Sequence, residues 1–178
     1  MPDGTAVAGP VDLVIEDARW RALDLELLVA RAARATFAGL GLTPERFEAV
    51  VLACDDGRIA ALNGTFRGKA QATNVLSWPS VDRAPAKAGA TPAEPDEEEL
   101  GDMALAFDTC AREAEAQGKE MSDHVTHLIV HGLLHLLGYD HERDADATLM
   151  ERREVEILAT LGVADPYRET GGCSPAHG

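Results

Sequence analysis

Residues 122–141 read SDHVTHLIVHGLLHLLGYDH, and this stretch decides how the chain folds and where its chemistry lies. Its apolar residues recur at helical spacing, so the sequence predicts a helix from an N-cap at Ser122 or Asp123 to about Leu137. Gly138 ends this helix. On a helical wheel the apolar residues form a broad face for the core, and the histidines form a narrow stripe opposite to it.

Three histidines of this stretch are the candidate metal ligands. His131 and His135 lie one helical turn apart, where both imidazoles can reach the same ion. The glycine that ends the helix lets the chain turn back, so His141 can supply a third nitrogen. Three nitrogen ligands with an open fourth position are typical of catalytic zinc, and we predict one Zn²⁺ per chain. For His124 and His127 we predict a surface or supporting role instead of ligation.

The histidine spacing alone leaves two classes of zinc hydrolase open. It equals that of the metzincin proteases, whose pattern is HExxHxxGxxH. Gly132 stands where those enzymes have the glutamate general base, so a peptidase would lack its proton carrier. Phosphodiester cleavage requires a cation that pairs with phosphate. Arg67, which precedes Gly68-Lys69 in a predicted cationic loop, is the candidate.

Strands and helices alternate along the rest of the chain. The predicted strands are Val11–Glu16, Phe47–Cys54, Asn74–Trp78 and Gly101–Phe107. The predicted helices are Leu23–Leu40, Asp108–Gln117 and Asp144–Leu161, and Ile59–Phe66 is a short amphipathic segment. This order predicts an α/β or α+β fold, with a small mixed sheet of about four strands and the metal-binding helix in the C-terminal third.

We predict a single domain over residues 1–178, with its ordered core at 11–162. Residues 79–99 are rich in Ala, Pro and acidic side chains and are predicted to be a flexible insertion. Residues 1–10 and the tail from Pro166 are predicted to be loose.

Composition narrows the function classes. The net charge of −15 argues against nonspecific binding of nucleic acid over the whole protein surface. It still allows one basic groove on an otherwise acidic surface. The sequence has neither a secretory signal nor an apolar run long enough for a membrane span, which predicts a cytoplasmic protein with no membrane partner. Cys54, Cys110 and Cys173 form no CxxC pair and are predicted to be thiols in a reducing compartment.

Three segments taken together resemble a known family. They are HGLLHLLGYDH (residues 131–141), LNGTFRGKAQATNVLSWP (62–79) and LGDMALAFD (100–108). They resemble the YbeY family of bacterial endoribonucleases, also called rRNA maturation factors, and the resemblance covers about residues 11–162. The sequence departs from the usual family pattern at Trp78, where phenylalanine is common, and in its longer acidic stretch at 81–99.

The resemblance implies a single-strand-specific, metal-dependent ribonuclease that acts in 16S rRNA 3′-end maturation and ribosome quality control. The implied partners are an rRNA precursor and the ribosome, and DNA is not expected. His131, His135 and His141 match the family's zinc ligands, and Arg67 matches an arginine that faces the metal in a cleft. Arg67 and His131 are therefore the candidate catalytic residues.

Three points stay open on the sequence alone. Asp140 could orient an imidazole or cap the turn after the helix. The general base is not identified. A metzincin-like protease, or a ribosome assembly factor whose zinc is mainly structural, remains an alternative to the nuclease.

Overall fold

The computed structural model describes residues 11–167, so the predictions for residues 1–10, 168–178 and Cys173 lie outside the described part of the chain. The strands are β1 Val11–Ile15, β2 Glu48–Cys54, β3 Val75–Pro79 and β4 Glu99–Ala106. The α-helices are α1 Leu25–Gly39, α2 Asp56–Arg67, α3 Phe107–Ala116, α4 Met121–Leu136 and α5 Asp144–Thr160. Short 3-10 helices cover Ala18–Leu23 and Pro44–Arg46. Within residues 11–167, no helix is long and apolar enough to span a membrane.

The four strands form one mixed sheet in the order β1-β2-β4-β3. β1 pairs with β2 and β2 with β4 in parallel, and β3 pairs with β4 in the antiparallel direction. The prediction of a small mixed sheet of about four strands with helices is therefore confirmed. β1 and β2 are parallel because the crossover through α1 returns the chain to the starting end of the sheet. β2 and β4 are parallel because β3, which follows α2, runs back along the sheet before β4 begins.

Alternate residues of the strands bury two different cores. Val51, Met103 and Leu105 point into the large core that α1 and α4 share. Ala104 and Ala106 point the other way, into a small core that is closed by Ile59 of α2. The sheet thus has α4 on one face and α2 on the other, and β3 lies at the edge where side chains from both helices can meet.

The predicted helix Leu23–Leu40 is two elements in the structure. A 3-10 helix ends at Leu23, and α1 begins at Leu25. Asp24 lies between them with φ 54°, a left-handed conformation that breaks the helical hydrogen-bond ladder. The apolar periodicity continued across this break, so periodicity alone placed the helix start two residues early.

The segment predicted as Ile59–Phe66 is longer and begins three residues earlier. The sequence Asp55-Asp56-Gly57 is typical of a turn, yet α2 begins at Asp56. Asp55 is the N-cap, and its Oδ1 accepts a hydrogen bond from the Arg58 backbone N–H at 2.7 Å. The short polar side chain that suggested a turn satisfies a helix N-terminus instead.

The acidic segment between β3 and β4 contains neither helix nor strand, and it has defined anchors. The Arg83 side chain is 6% exposed and donates to the carbonyl oxygen of Leu136 at the end of α4. Farther along, the backbone N–H of Gly89 donates to Asp146 of α5 at 2.8 Å. Arg143, just before α5, donates to two carbonyl oxygens of the same segment. The segment therefore lies beside the histidine turn that joins α4 and α5.

Gly132 lies where α4 crosses the sheet most closely. A Cβ added there would lie 2.4 Å from Cε of Met103, a fully buried side chain of β4, and 3.3 Å from Oγ of Ser77. Position 132 thus faces the sheet, so a glutamate there would enter the core instead of the space around the histidine rings. This is a steric reason for the glycine that distinguishes the segment from a protease motif.

We expect Gly132→Ala to lower the free energy of unfolding by about 1–3 kcal/mol, since the added methyl group overpacks the contact with Met103. Urea unfolding followed by circular dichroism measures this change. Gly57→Ala is the matched control, because a Cβ in that helical position meets Asp55 at an ordinary 3.6 Å. The control should gain about 0.5–1 kcal/mol from better helix propensity. Equal stability of Gly132→Ala and the parent would contradict the close packing.

Candidate metal centre and cleft

The first two candidate ligands are held by α4. His131 and His135 are one turn apart, and their Nε2 atoms lie 3.1 Å apart. Two ligands of a tetrahedral zinc ion, each about 2.0–2.1 Å from the metal, would lie about 3.3 Å apart. The apolar side of α4 packs on the sheet and on α1, which fixes the helix and therefore both rings.

The third candidate, His141, is brought back by the turn after α4. Gly138 has φ 107°, and an added Cβ would lie 2.7 Å from the carbonyl oxygen of Arg83, so both backbone and space require glycine there. The His141 ring centroid is 4.9 Å from that of His135, and the candidate ligand nitrogens of all three histidines lie within 4.8 Å of one another. The chain therefore turns back after α4 as predicted and brings His141 close to the other two histidines.

Asp140 caps the turn. Its Oδ1 accepts the backbone N–H of His141 at 2.7 Å, which agrees with the capping role among the two that we considered. The bond shapes the backbone that carries the third histidine.

The charge state of the cluster suits a metal cation. Burial lowers the pKa of His135 to about 3, and His131 and His141 act in the same direction because like charges would repel. His135 is therefore neutral at physiological pH, with a lone pair available for coordination. Closely spaced imidazole nitrogens at the end of a rigid helix are a donor set that fits Zn²⁺.

Glu154 is the site residue that the sequence did not predict. It lies on α5 and is fully buried, and its carboxylate oxygens lie 2.7 Å from His131 Nδ1 and 3.0 Å from His127 Nε2. The Tyr167 hydroxyl donates to the same carboxylate at 2.5 Å. Burial alone would raise the pKa of Glu154, but the hydrogen bonds from His127 and His131 outweigh burial and hold the pKa well below its usual range. Glu154 is thus a buried anion directly behind the metal cluster.

His124 and His127 do not face solvent, although the helical wheel placed the histidine stripe opposite the core. His127 is covered by Glu154, and burial lowers its pKa despite that hydrogen bond. His124 is 3% exposed, and its Nε2 lies 2.9 Å from Glu113 of α3. Neither belongs to the three-histidine cluster, so the predicted supporting role agrees with the geometry, while a surface position does not. The physical reason is that α3 and α5 cover the polar side of α4.

Arg67 lines the same cleft as the histidines. It was predicted in a loop but is the last residue of α2, and its Nη2 donates to the carbonyl oxygen of Ser77 in β3 at 2.8 Å. A cleft of about 600 Å³ is lined by this arginine and by His131, His135 and His141. The structure therefore brings together all four site residues that the sequence singled out, although more than 60 positions separate the arginine from the first histidine.

The cleft lining carries charges of both signs. Arg67 and Lys69 line it from α2 and the loop that follows, and Arg83 lines it from the acidic segment. Asp82, Asp140 and Glu142 line it as well. The side-chain amide of Asn63 donates to the carbonyl oxygen of Gln71 at 2.9 Å and closes the loop that carries Lys69. An anion that enters the cleft is drawn to the cationic side chains among these residues.

Comparison with known proteins gives one consistent family. The family model of Endoribonuclease YbeY matches residues 15–162. The protein named Endoribonuclease YbeY from Dinoroseobacter shibae is 60% identical, over 93% of this chain and 94% of its own length. Its namesake from Cereibacter sphaeroides is 58% identical, over 88% of this chain and 98% of its own length.

A solved structure shares the fold. The solution structure of TM1509 from Thermotoga maritima is similar with a TM-score of 0.53 at 18% identity, and the match covers 89% of this chain and 99% of that one. The resemblance inferred from the three sequence segments is confirmed by the family model and by these relatives. The chain belongs to the YbeY endoribonuclease family.

Proposed function

We propose that this protein is a zinc-dependent endoribonuclease that cleaves single-stranded RNA. The observation that carries the proposal is the cleft in which Arg67 faces the cluster of His131, His135 and His141. The names of the relatives support a nuclease, and the neutral His135 together with the close spacing of the three imidazoles supports zinc as the metal. When bound to these histidines, zinc supplies Lewis-acid polarisation of a phosphoryl oxygen.

Arg67 binds and orients the scissile phosphate. Its contact with Ser77 aligns the side chain along the cleft, and a guanidinium offers further N–H donors in a planar fork that matches phosphate oxygens. A cation at this place also offsets the negative charge that grows on the phosphate during cleavage. These two roles need no glutamate at position 132.

The charge of the cleft walls favours a single strand. The cationic side chains Arg67, Lys69 and Arg83 are few, and Asp82, Asp140 and Glu142 line the same cleft. One phosphate backbone can contact these cations, whereas the second strand of a duplex would bring further phosphates close to the acidic side chains. The net charge of −15 also makes these local cations, not the general surface, the place where RNA is held.

We further propose that the substrate is the 3′-end precursor of 16S rRNA, met on the ribosome or its small subunit in the cytoplasm. The support is the family membership and the specificity of the HGLLHLLGYDH segment for that family. Ribosome quality control is the wider process to which this cleavage belongs.

A defined RNA set tests the proposal. We expect the purified protein to contain about one zinc per chain and to cleave a single-stranded 16S 3′-end precursor, with activity lost after chelation and restored by zinc. The same sequence annealed to its complement should resist cleavage. Casein, incubated in parallel, should stay intact, which separates the nuclease from a protease with the same histidine spacing. Chelator-resistant RNA cleavage, or casein digestion, would contradict the proposal.

The assembly-factor alternative predicts a different result in the same assays. A mainly structural zinc would leave the domain unfolded after chelation, and binding to the ribosome fraction would persist without any nuclease activity. Circular dichroism of the chelated protein separates the two, because we expect the sheet and α1 to α5 to remain folded without metal.

A further inference from the structure

The Glu154 carboxylate has a hydrogen-bond pattern that constrains the chemistry of the ligand His131. One oxygen, Oε2, lies 2.7 Å from His131 Nδ1. The other, Oε1, accepts from His127 Nε2 and from the Tyr167 hydroxyl. Glu154 is 0% exposed, so its charge is compensated by these three donors and not by bulk water.

An ionised carboxylate accepts hydrogen bonds and donates none. The nitrogen of His131 that faces it must therefore carry the ring proton. A histidine that binds a metal does so as the neutral imidazole, which has only one such proton, so Nε2 of a ligating His131 keeps its lone pair. That lone pair lies on the side of His135, whose Nε2 is 3.1 Å away.

We propose that Glu154 is a positioning residue that fixes His131 as the Nδ1–H tautomer, with Nε2 directed at the metal, and that His127 and Tyr167 hold Glu154 in place. The inference rests on the proposed metal site. It adds a function for α5, which contributes no ligand of its own to the three-histidine cluster. Carboxylate partners of this kind also raise the basicity of a ligand imidazole.

A second ion at Glu154 is the competing interpretation, since the ligand atoms of His127, His131 and Glu154 also lie within 4.8 Å of one another. The distances favour hydrogen bonds. Two ligands of one tetrahedral zinc would lie about 3.3 Å apart, but His131 Nδ1 is 2.7 Å from the carboxylate. An ion there would also displace the protons that neutralise the buried charge.

Glu154→Gln tests the proposal because it keeps the size of the side chain and removes its charge. An amide presents one acceptor oxygen and one NH₂ donor, so it cannot accept from donors on both of its ends. His131 then faces either a lost bond or a tautomer change that places the proton on Nε2, where the metal should bind. We expect zinc affinity, measured by competition with a chromophoric chelator, to fall about 10- to 100-fold.

Glu156→Gln is the matched control. It removes the same charge from the same helix, but its side chain is 56% exposed and pairs with Arg153 at 3.3 Å, away from the histidines. Its zinc affinity should equal that of the parent. Thermal unfolding of the zinc-free variants separates a loss of fold from a loss of affinity.

Nitrogen NMR of the zinc-free parent measures the tautomer directly and needs no variant. We expect the His131 ring to carry its proton on Nδ1. A proton on Nε2 would overturn the proposal, and so would a Glu154→Gln protein with parental zinc affinity. A second zinc equivalent that Glu154→Gln abolishes would make Glu154 a ligand and overturn it as well. A parent that binds no zinc overturns the proposed metal site itself, which distinguishes that failure from a failure of the positioning role alone.

Discussion

His135→Ala is expected to lose zinc and RNA cleavage together while the protein stays folded. The imidazole is one of three in the cluster, and it is kept neutral by burial and by the neighbouring histidines. The two histidines that remain cannot hold a tetrahedral ion as tightly as three. Its removal leaves the apolar contacts of α4 with the sheet and α1 unchanged, so the helix keeps its position.

The expected loss of activity is large because the metal supplies several kcal/mol of transition-state stabilisation. Each 1.36 kcal/mol corresponds to a factor of ten, so RNA cleavage should fall by about 10²- to 10⁴-fold. Zinc content by elemental analysis and cleavage of the single-stranded precursor measure both effects on one preparation. His131→Ala should lose zinc and activity in the same way, but it should also be less stable, because it removes one of the three groups that compensate the buried charge of Glu154.

His124→Gln is the control for His135→Ala. It changes a histidine of the same helix that bonds to Glu113 and lies outside the cluster. We expect it to keep its zinc and to lose about 1–3 kcal/mol of stability at most, since a buried hydrogen bond is disturbed. Zinc retained by His135→Ala, or lost equally by His124→Gln, would refute the ligand assignment.

The three-histidine cluster could be predicted because its residues lie close together in the sequence. His131 and His135 on one helical turn, followed by a glycine, need only the geometry of an α-helix and of a turn. The position of His141 follows from the same short stretch. Within such a segment, hydrophobic periodicity and one glycine determine where the rings go.

The partners of that local cluster were less predictable because they depend on tertiary packing. Glu154 is 23 positions from His131 along the chain. A signal for it nevertheless exists, since Glu154 occupies a place in α5 where the helical pattern of Met150, Ile157 and Leu158 requires a buried residue. An acid on an apolar face predicts a buried polar partner, although it does not say which one.

The predicted boundaries of helices and strands were wrong at polar residues that are common both in turns and at helix ends. Asp55 suggested a turn and is a helix N-cap, and Asp24 interrupts a periodic stretch with a left-handed backbone. Short polar side chains satisfy backbone groups in turns and at helix ends alike. The sequence therefore predicts the existence of such elements better than their first residues.

The charge of the acidic segment was apparent from composition, but its anchoring was not. Arg83 lies in that segment among acidic residues, so its sequence context predicts a side chain exposed to solvent. In the structure its guanidinium bonds the carbonyl oxygens at the end of α4 and at Leu100 of β4. One buried arginine thus ties a stretch of low apolar content to the base of the histidine turn, a contact that no periodicity predicts.

Arg67→Ala is expected to separate catalysis from metal binding. The guanidinium lines the same cleft as the histidines and contacts no member of the cluster in the hydrogen bonds described; its bond is to the Ser77 carbonyl oxygen. The variant should therefore contain parental zinc. Removal of one preorganised donor for a developing charge costs about 10²- to 10³-fold in rate, and RNA cleavage should fall by that factor.

Two further arginine variants decide whether charge or geometry matters. Arg67→Lys keeps the positive charge and loses the planar fork, so we expect activity between that of the parent and that of Arg67→Ala. Arg58→Ala, on the same helix, removes an exposed arginine that pairs with Glu16, and it should cleave RNA at the parental rate. If Arg67→Ala cleaves RNA as fast as Arg58→Ala, the arginine does not act on the phosphate. If Arg67→Ala instead loses its zinc, the effect is structural, because a phosphate-binding side chain outside the cluster has no means of holding the metal.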